Sequence, residues 1–512
     1  MALPSTNDLA WKATTPRRWE RDIDEAEQFY TSLAKAFEGT GRTFFAITGF
    51  VSFSVPLPAG ESMNEASKNI EEALQKAWVR LRYDHPTIGS RVQYNLETKK
   101  CKKVYETFSA SYTQQDWLDE TFKVISEGVS GQEWCNSDPP VPDLPTLFLV
   151  KTETGTVDEH NGRTRADLVL RAHHDIIDGM GTLLLFNNLF SHAARAYDEQ
   201  SSYTLPKFGD EIVRLSPPLR VAASIPPSLH PQQAIRIQEI LEFNAKLRED
   251  VEIASLPFKR DKQGPGKHQR VAITLSREET QQLLAACRDA NLSITHAYHT
   301  AIALVVRDLQ ERHHEERRIC YINYSLINER AHCVEPYSTS AHPASVYHSV
   351  SGRALAIELT VPGSSSPTNL TGATETQREY IHIADKIRAF YLDIRNDEEH
   401  ISLAPAYWNM ATIPYPGDGK TLPVPPRNES PSVSISSMGV LDKVISHTYG
   451  LFEVEDPWVT GEELGTGLGL FLGSWKGGIT LSAAYNDAWH DREEVLEILE
   501  RCNRATLSGL GV

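Results

Sequence analysis

The feature that most constrains the fold is the alternation of short β-rich runs with amphipathic helical patterns on both sides of a proline-rich connection. The chain has 512 residues, whereas a single hydrophobic core usually stops growing at roughly 250–300 residues. Alternating strands and helices are typical of α/β proteins, in which helices cover the faces of a sheet. We therefore predict an α/β protein with two lobes, each a mixed β-sheet covered by helices.

Proline and glycine mark the predicted boundaries between these lobes. We assign residues 1–200 to the N-terminal lobe, residues 201–266 to an interlobe linker with one helix, and residues 267–512 to the C-terminal lobe. Prolines recur through the first part of the linker, and the linker ends in the glycine-containing, basic segment FKRDKQGPGKHQR. Such composition is typical of connections. A second proline-rich stretch, near residues 404–431, predicts a long irregular crossover loop.

Charge and cysteine usage exclude several classes of protein. The formal net charge of −17 repels nucleic acid. The six cysteines are dispersed and form no CxxC pair, so we expect neither a zinc module nor any other metal site. The first residues lack the apolar core of a signal peptide, and no apolar run approaches the roughly 20 residues that span a bilayer. We expect a cytoplasmic, monomeric protein that binds neither nucleic acid nor membranes.

One segment of the N-terminal half stands out for its chemistry. Two apolar runs, at 147–151 and 166–173, are separated by a segment rich in glycine and charge, which favours a hairpin or its near equivalent. The second run leads into HHDIIDGMG, and then into TLLLFNNLFSHAARAYD, whose apolar residues recur at helical spacing. The sequence therefore predicts that HHDIIDG is a strand-to-helix turn.

A histidine in such a turn can face a cleft, because chain turns leave side chains accessible. A neutral imidazole, with an ordinary pKa of ~6.5, can accept a hydroxyl proton. Asp178 could pin the turn by pairing with a cation, and Gly179 permits close approach of other groups. Taken alone, a histidine pair can equally be structural. A metal site would need a third ligand that the turn does not offer, and a serine hydrolase would need a GxSxG elbow, which the sequence lacks.

HHDIIDG matches the HHxxxDG signature of the coenzyme A-dependent acyltransferase superfamily, which includes condensation domains, chloramphenicol acetyltransferase and alcohol acyltransferases. Its surroundings also resemble that superfamily over roughly residues 20–505, in the segments HPTIGSRV, LSREETQQLL, NLSITHAYHTAIAL, SLINERAH, SISSMGVLD and GGITLSAAYN. The resemblance implies two chloramphenicol-acetyltransferase-like lobes with an active-site tunnel between them.

The resemblance also implies roles for the residues of the motif. His174 is expected to be the catalytic base and His173 its less critical neighbour. Asp178 is expected to support the turn by pairing with an arginine, for which Arg330 is a candidate, and Gly179 to keep the solvent channel open.

Other site residues are predicted on weaker grounds. Ser436 and Ser437 are candidate donors to the oxyanion, although they can equally be ordinary strand serines. Lys259, Arg260, Lys262 and Lys267 surround a glycine-containing loop and are candidates for binding the phosphates of coenzyme A, although a solvated charged face explains them as well. The segment GTGLGL at 465–470 is expected to be a glycine-rich turn and not a nucleotide loop.

The superfamily implies direct acyl transfer in a ternary complex, with acetyl-CoA as cosubstrate and no permanently bound cofactor. The DFGWG motif of the plant enzymes is absent, and the whole-chain pattern most resembles fungal trichothecene 15-O-acetyltransferases. That resemblance implies a sesquiterpenoid acceptor, the C-15 hydroxyl of a trichothecene, with 15-decalonectrin converted to calonectrin. Two alternatives remain open: a condensation-type enzyme whose donor is carried by a carrier protein, and a catalytically inactive binding protein of the same fold.

Overall fold

A computed structural model of the protein describes residues 7–95, 100–151, 162–260, 262, 264–365, 373–413 and 424–512. The strands in this part of the chain are β1 Lys12–Thr15, β2 Arg18–Asp22, β3 Ile47–Pro56, β4 Ser90–Asn95, β5 Lys100–Glu106, β6 Phe122–Ile125, β7 Thr146–Val150, β8 Arg163–Ala172, β9 His268–Thr274, β10 Arg317–Asn323, β11 Leu326–Asn328, β12 His348–Val350, β13 Leu355–Val361, β14 Val433–Val440, β15 Thr448–Tyr449, β16 Phe452–Gly461, β17 Leu468–Trp475 and β18 Gly478–Asn486. The α-helices are α1 Glu25–Ala36, α2 Met63–Asp84, α3 Gln114–Thr121, α4 Gly131–Asn136, α5 Gly179–Glu199, α6 Leu219–Ala222, α7 Pro231–Lys246, α8 Arg277–Asp289, α9 Ile294–Asp308, α10 Ala373–Arg395, α11 His400–Ala411 and α12 Arg492–Leu510.

Two mixed sheets organise the molecule. The first has the order β15-β16-β3-β8-β7-β6, and only its β6–β7 pair is parallel. The second has the order β14-β17-β18-β9, in which β14 and β17 run parallel and the other pairs antiparallel. A further sheet, β1-β2-β5-β4, and the pairs β10-β13 and β11-β12 complete the β structure of the described chain. The predicted fold class, α/β with mixed sheets covered by helices, is confirmed.

Each main sheet carries its own hydrophobic core. The first sheet packs against α2 and α5, and the second against α8 and α12, with α9 packed beside α12. Gly49 of β3 lets α5 approach closely, because a β-carbon there would lie 2.3 Å from Thr182 Cγ2. Helices α2 and α5 each carry apolar residues at helical spacing and bury an apolar face, and the sequence predicts this pattern for α5.

Two strands from the second half of the sequence belong to the sheet that the first half forms. Strands β15 and β16 come late in the chain but extend the first sheet, where β16 pairs antiparallel with β3. Their side chains Phe452, Val454 and Val459 are buried in the core beneath that sheet. The lobe boundaries at 200 and 266 stay predictions, but the first sheet is completed only by residues 448–461.

The irregular stretch predicted near 404–431 is helical at its start. Residues 404–411 belong to α11, because Leu403, Tyr407 and Trp408 recur at helical spacing and are buried, and Pro405 is accommodated within the helix. Residues 414–423 lie outside the described residues, and 424–432 carry no regular structure. Helix α1 begins at Glu25, because Arg18–Asp22 form β2 and Asp24 caps the helix. Within the described ranges, no helix has the length and apolar character needed to cross a membrane.

A buried ion network ties α1 to the small sheet. Arg21 of β2 donates to both carboxylate oxygens of Glu27 at 2.7 and 2.6 Å, and Lys103 of β5 also donates to Glu27. Burial by itself would raise the pKa of Glu27, but Arg21 and Lys103 bring it down to about 2. The carboxylate is therefore ionised at neutral pH and compensates two buried cations.

We expect Glu27→Ala to lower the free energy of unfolding by about 3–5 kcal/mol, because Arg21 and Lys103 would remain buried without their counter-charge. Glu38→Ala, which removes an exposed carboxylate paired with Lys35, serves as the control and is expected to cost less than about 1 kcal/mol. Urea denaturation followed by tryptophan fluorescence measures both. Equal losses in the two variants would contradict the role of this network.

Candidate active site

The HHDIIDG segment is a strand-to-helix turn, as the sequence predicts. Strand β8 ends at Ala172, the turn occupies the next residues, and α5 begins at Gly179 with Asp178 as its N-cap. Asp175 fixes the turn through two hydrogen bonds. Its carboxylate accepts one from Thr31 Oγ1 at 2.8 Å, and its backbone carbonyl accepts one from Lys103. The turn is thus anchored to α1 and β5.

The imidazole of His174 lies on the wall of a cavity and is neutral. Its ring stacks on Tyr30, with ring centroids 3.6 Å apart and planes inclined by 12°. Its Nδ1 is buried and has no hydrogen-bond partner among the described residues, which leaves Nε2 as the nitrogen to face a ligand. Burial lowers the pKa of His174 to about 3, and nearby His348 lowers it further.

Asp178 connects the turn to the second half of the chain. Its Oδ1 accepts from the backbone N–H of Gly181 at 2.7 Å, which caps α5. Its Oδ2 accepts from Arg330 Nη1 at 3.0 Å and from the backbone N–H of Tyr347 at 2.8 Å. Burial would raise the pKa of Asp178, but Arg330 and His348 hold it well below its usual range. The arginine that pairs with Asp178 is therefore Arg330, the sequence candidate.

Two glycines at the start of α5 are closely packed, and the packing excludes a β-carbon at Gly181. A β-carbon on Gly179 would lie 3.3 Å from Met438 Cε and 3.5 Å from Val459 Cγ1. A β-carbon on Gly181 would lie 2.1 Å from the carbonyl oxygen of Pro343. Gly179 also lines the cavity beside His174, where the predicted solvent channel would run.

Tyr30 and His348 form a polar pair next to His174. The hydroxyl of Tyr30 lies 2.7 Å from His348 Nε2, and His348 Nδ1 lies 3.7 Å from Asp178 Oδ2. Burial and the neighbouring Asp178 raise the pKa of Tyr30 well above its usual range, so its hydroxyl stays protonated. The Tyr30 hydroxyl and His348 Nε2 share a hydrogen bond. This arrangement fixes the ring on which His174 stacks.

A cavity of about 660 Å³ lies in front of these residues. It is bounded by both halves of the chain: by His174 and Gly179 on one side, and by Ser436 of β14 and Phe471 of β17 on the other. Its wall is largely apolar, with a few polar groups, which is typical of small-molecule sites.

The predicted oxyanion donors lie on this cavity. Ser436 and Ser437 of β14 both line it. Ser436 Oγ lies 3.6 Å from Met438 Sδ, and Ser437 Oγ lies 2.9 Å from Thr295 Oγ1. The structure therefore brings both serines to the cavity of His174, and their role as oxyanion donors stays a prediction.

The basic residues predicted for coenzyme A lie at the surface beside the cavity wall. Lys259 forms an ion pair with Asp491 at 2.5 Å, the guanidinium of Arg260 lies 5.4 Å from the ring centroid of Phe258, and Lys262 and Lys267 are exposed. Gly264 and Pro265, from the same segment, do line the cavity, as does Arg248 at the end of the linker helix. Arg248 is a basic wall residue that the sequence did not single out.

Several other wall residues had no recognisable signal in the sequence. Tyr30 and His348 carry no motif, and they meet His174 across large separations in the chain. Only residues 465–467 of the predicted glycine-rich turn form a bend, because residues 468–470 belong to β17; the bend lines the cavity together with Glu463. Its glycines were an available signal, but their composition alone did not place the turn at the site.

Comparison with known proteins identifies the fold. No protein-family model matches the chain. The trichothecene 15-O-acetyltransferase from Fusarium sporotrichioides superposes with a TM-score of 0.78 at 18% identity, covering 99% of each chain. The first condensation domain of the calcium-dependent antibiotic synthetase gives a TM-score of 0.60 at 12% identity, covering 98% of this chain and 97% of that domain. The chain has the condensation-domain fold.

Two relatives resemble this chain in sequence over nearly its full length, and a third resembles two thirds of it. The acetyltransferase pigO of Monascus ruber is 25% identical, with 98% of this chain and 99% of the relative covered. The O-acetyltransferase pigM of the same fungus is 24% identical, with 98% and 88% covered. The azaphilone biosynthesis cluster protein M of Aspergillus terreus is 23% identical over 67% of this chain and 77% of its own length. These likenesses support an acyltransferase enzyme related to proteins of fungal secondary metabolism.

We expect Asp178→Asn to lower the free energy of unfolding by about 3–5 kcal/mol, because Arg330 would stay buried beside a neutral amide. Thermal and urea denaturation measure the loss. Asp198→Asn, at an exposed position on the same helix, is the control and is expected to change stability by less than about 0.5 kcal/mol. Combining Asp178→Asn with Arg330→Met should cost less than the sum of the two single variants. Strictly additive losses would mean that the two side chains are not energetically coupled.

Proposed function

We propose that the protein transfers the acetyl group of acetyl-CoA to a hydroxyl of a small apolar metabolite, with His174 as general base. The observation that carries the proposal is a neutral imidazole on the wall of a cavity bounded by both halves of a condensation-domain fold. The acetyltransferases among the relatives support it. We further propose a monomeric cytoplasmic enzyme without a permanently bound cofactor.

In the proposed reaction, His174 Nε2 removes the proton of the acceptor hydroxyl as its oxygen attacks the thioester carbonyl. The tetrahedral intermediate collapses with cleavage of the carbon–sulfur bond, and the imidazolium returns the proton to the departing thiolate. A positioned base typically contributes ~10²–10⁴-fold to such a rate. Holding both reactants in one cavity adds a further contribution, because it removes the entropy cost of bringing them together.

The low pKa of His174 is that of the free enzyme. A negative charge that develops on the carbonyl oxygen beside the ring favours the imidazolium, so the basicity of His174 rises as the reaction proceeds. Ser436 is the side chain that we assign to this oxyanion, with Ser437 next to it on β14. Asp178 and Gly179 hold the turn in place and take no proton.

Coenzyme A needs cations for its phosphates and a path to His174. Arg248, Gly264 and Pro265 border the cavity, and the surface residues Lys259, Arg260, Lys262 and Lys267 belong to the same stretch of chain or lie next to it. We propose that the phosphates bind at this surface while the thioester arm reaches inward past Gly264.

Two acceptor classes fit the comparisons. The structural likeness to a trichothecene 15-O-acetyltransferase supports the C-15 hydroxyl of a trichothecene, with conversion of 15-decalonectrin to calonectrin. The likeness to an azaphilone cluster protein supports an azaphilone alcohol. The largely apolar wall favours an apolar acceptor of either class, and the reaction requires a free hydroxyl on that acceptor.

We expect His174→Ala to lower kcat/KM for acetyl transfer by ~10²–10⁴-fold, the usual contribution of a general base. Thiol release from acetyl-CoA in the presence of each acceptor measures the rate. His173→Ala is the control and should keep most of the activity. Acetyl transfer from a carrier-protein thioester but not from acetyl-CoA would favour the condensation-type alternative. A loss of only a few-fold in His174→Ala would contradict the assignment of the base.

The acid limb of the pH profile should lie far below the ordinary histidine range. Since the pKa of His174 is lowered to about 3, the proton-accepting form predominates at every pH above that value. The dependence of kcat/KM on pH reports ionisations of the free enzyme. We therefore expect no acid limb near ~6.5, the unperturbed histidine value. An acid limb at that value, lost in His174→Ala, would show that the ring is solvated.

A further inference from the structure

One stretch of backbone beside the cavity adopts a conformation that bulky residues avoid. Phe45, in the connection between α1 and β3, has φ +59°, in the left-handed region. The conformation is held by backbone hydrogen bonds from Phe45 N–H to the Glu462 carbonyl at 2.8 Å and from Ala46 N–H to the Thr43 carbonyl at 3.1 Å. Backbone strain of this kind persists only where the surroundings enforce it, and it concentrates at functional sites.

The turn places two consecutive phenyl rings on the cavity wall. Phe44 and Phe45 both line the cavity, and their rings stack on each other with centroids 4.3 Å apart. Phe45 then meets Tyr30 edge-on at 6.2 Å, and Tyr30 stacks on His174. Phe37 continues the row on the other side, 5.6 Å from Phe44. An unbroken row of aromatic rings, Phe37–Phe44–Phe45–Tyr30, therefore leads to the imidazole of His174.

A buried carboxyl group lies near Phe44, the ring that Phe45 and Tyr30 separate from His174. Glu463 lines the cavity and is 7% exposed. Its Oε1 accepts from the backbone N–H of Gly465 at 2.7 Å, and among the described residues no ion pair of Glu463 with a cationic side chain is present. A β-carbon on Gly465 would lie 2.9 Å from Glu463 Oε1 and 3.6 Å from Phe44 Cζ. The missing β-carbon of Gly465 leaves room for the carboxyl group near Phe44.

We propose that this aromatic row and Glu463 form the acceptor subsite, and that the acceptor is a flat, conjugated ring system with a carbonyl or hydroxyl oxygen at the end remote from the acetylated hydroxyl. The proposal rests on the acetyltransferase function proposed above. Aromatic rings favour offset-stacked and edge-to-face contacts, which a flat π-system makes and a saturated cage does not. The subsite therefore selects an azaphilone-type alcohol over a trichothecene-type alcohol.

Burial supports the choice of an oxygen function at Glu463. Because the carboxyl group is enclosed, its pKa is raised to about 7, so near neutral pH it can donate to a carbonyl as well as accept from a hydroxyl. A buried group of this kind discriminates strongly between ligands that do and do not satisfy it.

Isothermal titration calorimetry without acetyl-CoA tests the subsite directly. The probes are an azaphilone-type alcohol and 15-decalonectrin. We expect the flat alcohol to bind the unmodified protein at least about tenfold more tightly, which corresponds to a difference of ~1.4 kcal/mol. Phe44→Leu should weaken the flat alcohol by about tenfold, within the range of aromatic pair energies, and leave the caged alcohol nearly unchanged. Phe148→Leu, a half-buried phenylalanine packed against Trp134 away from the cavity, is the matched control and should change neither.

Two variants test the carboxyl group. Glu463→Gln keeps a donor and an acceptor and should retain binding of the flat alcohol, whereas Glu463→Leu should weaken it about tenfold, as expected for an unsatisfied polar group. Unchanged thermal midpoints and unchanged coenzyme A binding would verify that both variants fold.

Equal or tighter binding of 15-decalonectrin, or flat-alcohol binding that is insensitive to Phe44→Leu and Glu463→Leu, would overturn the subsite. These outcomes are distinct from failure of the proposed function, in which neither alcohol would accept acetyl from acetyl-CoA even though binding is observed.

Discussion

The buried carboxylate of Asp178 is the interaction on which the site depends. One oxygen caps α5, and the other accepts from Arg330 and from the backbone of Tyr347. A carboxylate is costly to bury, and it persists here because its oxygens accept hydrogen bonds from three donors, one of them a cation. The same group therefore fixes the start of the helix and attaches the turn to a segment from the second half of the chain. The position of His174 relative to the opposite cavity wall follows from this attachment.

The properties of His174 come from its neighbours more than from its place in the turn. Tyr30 covers one face of the ring, and His348 lies close enough to oppose its protonation. Lys103 and Thr31 hold Asp175 just after it in sequence. Because these groups come from α1, β5 and β12, an isolated strand–turn–helix would present an ordinary solvated histidine. The enclosure that keeps the imidazole neutral is a product of the assembled fold.

Strand β16 and the connection that follows it join the two sides of the cavity. Strand β16 completes the first sheet, and the connection that follows it carries Glu463 and the glycine-rich turn into β17 of the second sheet. The backbone carbonyl of Glu462, directly after β16, also accepts a hydrogen bond from Phe45 N–H and so holds the Phe44–Phe45 turn. The segment from β16 to the start of β17 therefore joins the sheets, helps to hold the aromatic row and supplies the carboxyl group near Phe44. This explains why the acceptor side of the cavity is built from parts of the chain that are remote in sequence.

The sequence by itself determined the features that depend on local periodicity and local capping. The strand-to-helix turn at HHDIIDG, helix α5 and the alternation of strands and helices are all specified by residues within one or two turns of each other. Tertiary structure decided that Tyr30, His348 and Glu463 share one cavity, that Arg330 is the arginine that pairs with Asp178, and that β16 joins the first sheet. It also made 404–411 helical, because burial of Leu403, Tyr407 and Trp408 outweighs the proline. These contacts join residues that are often more than a hundred positions apart, and no local pattern specifies which distant surfaces meet when two cores pack together.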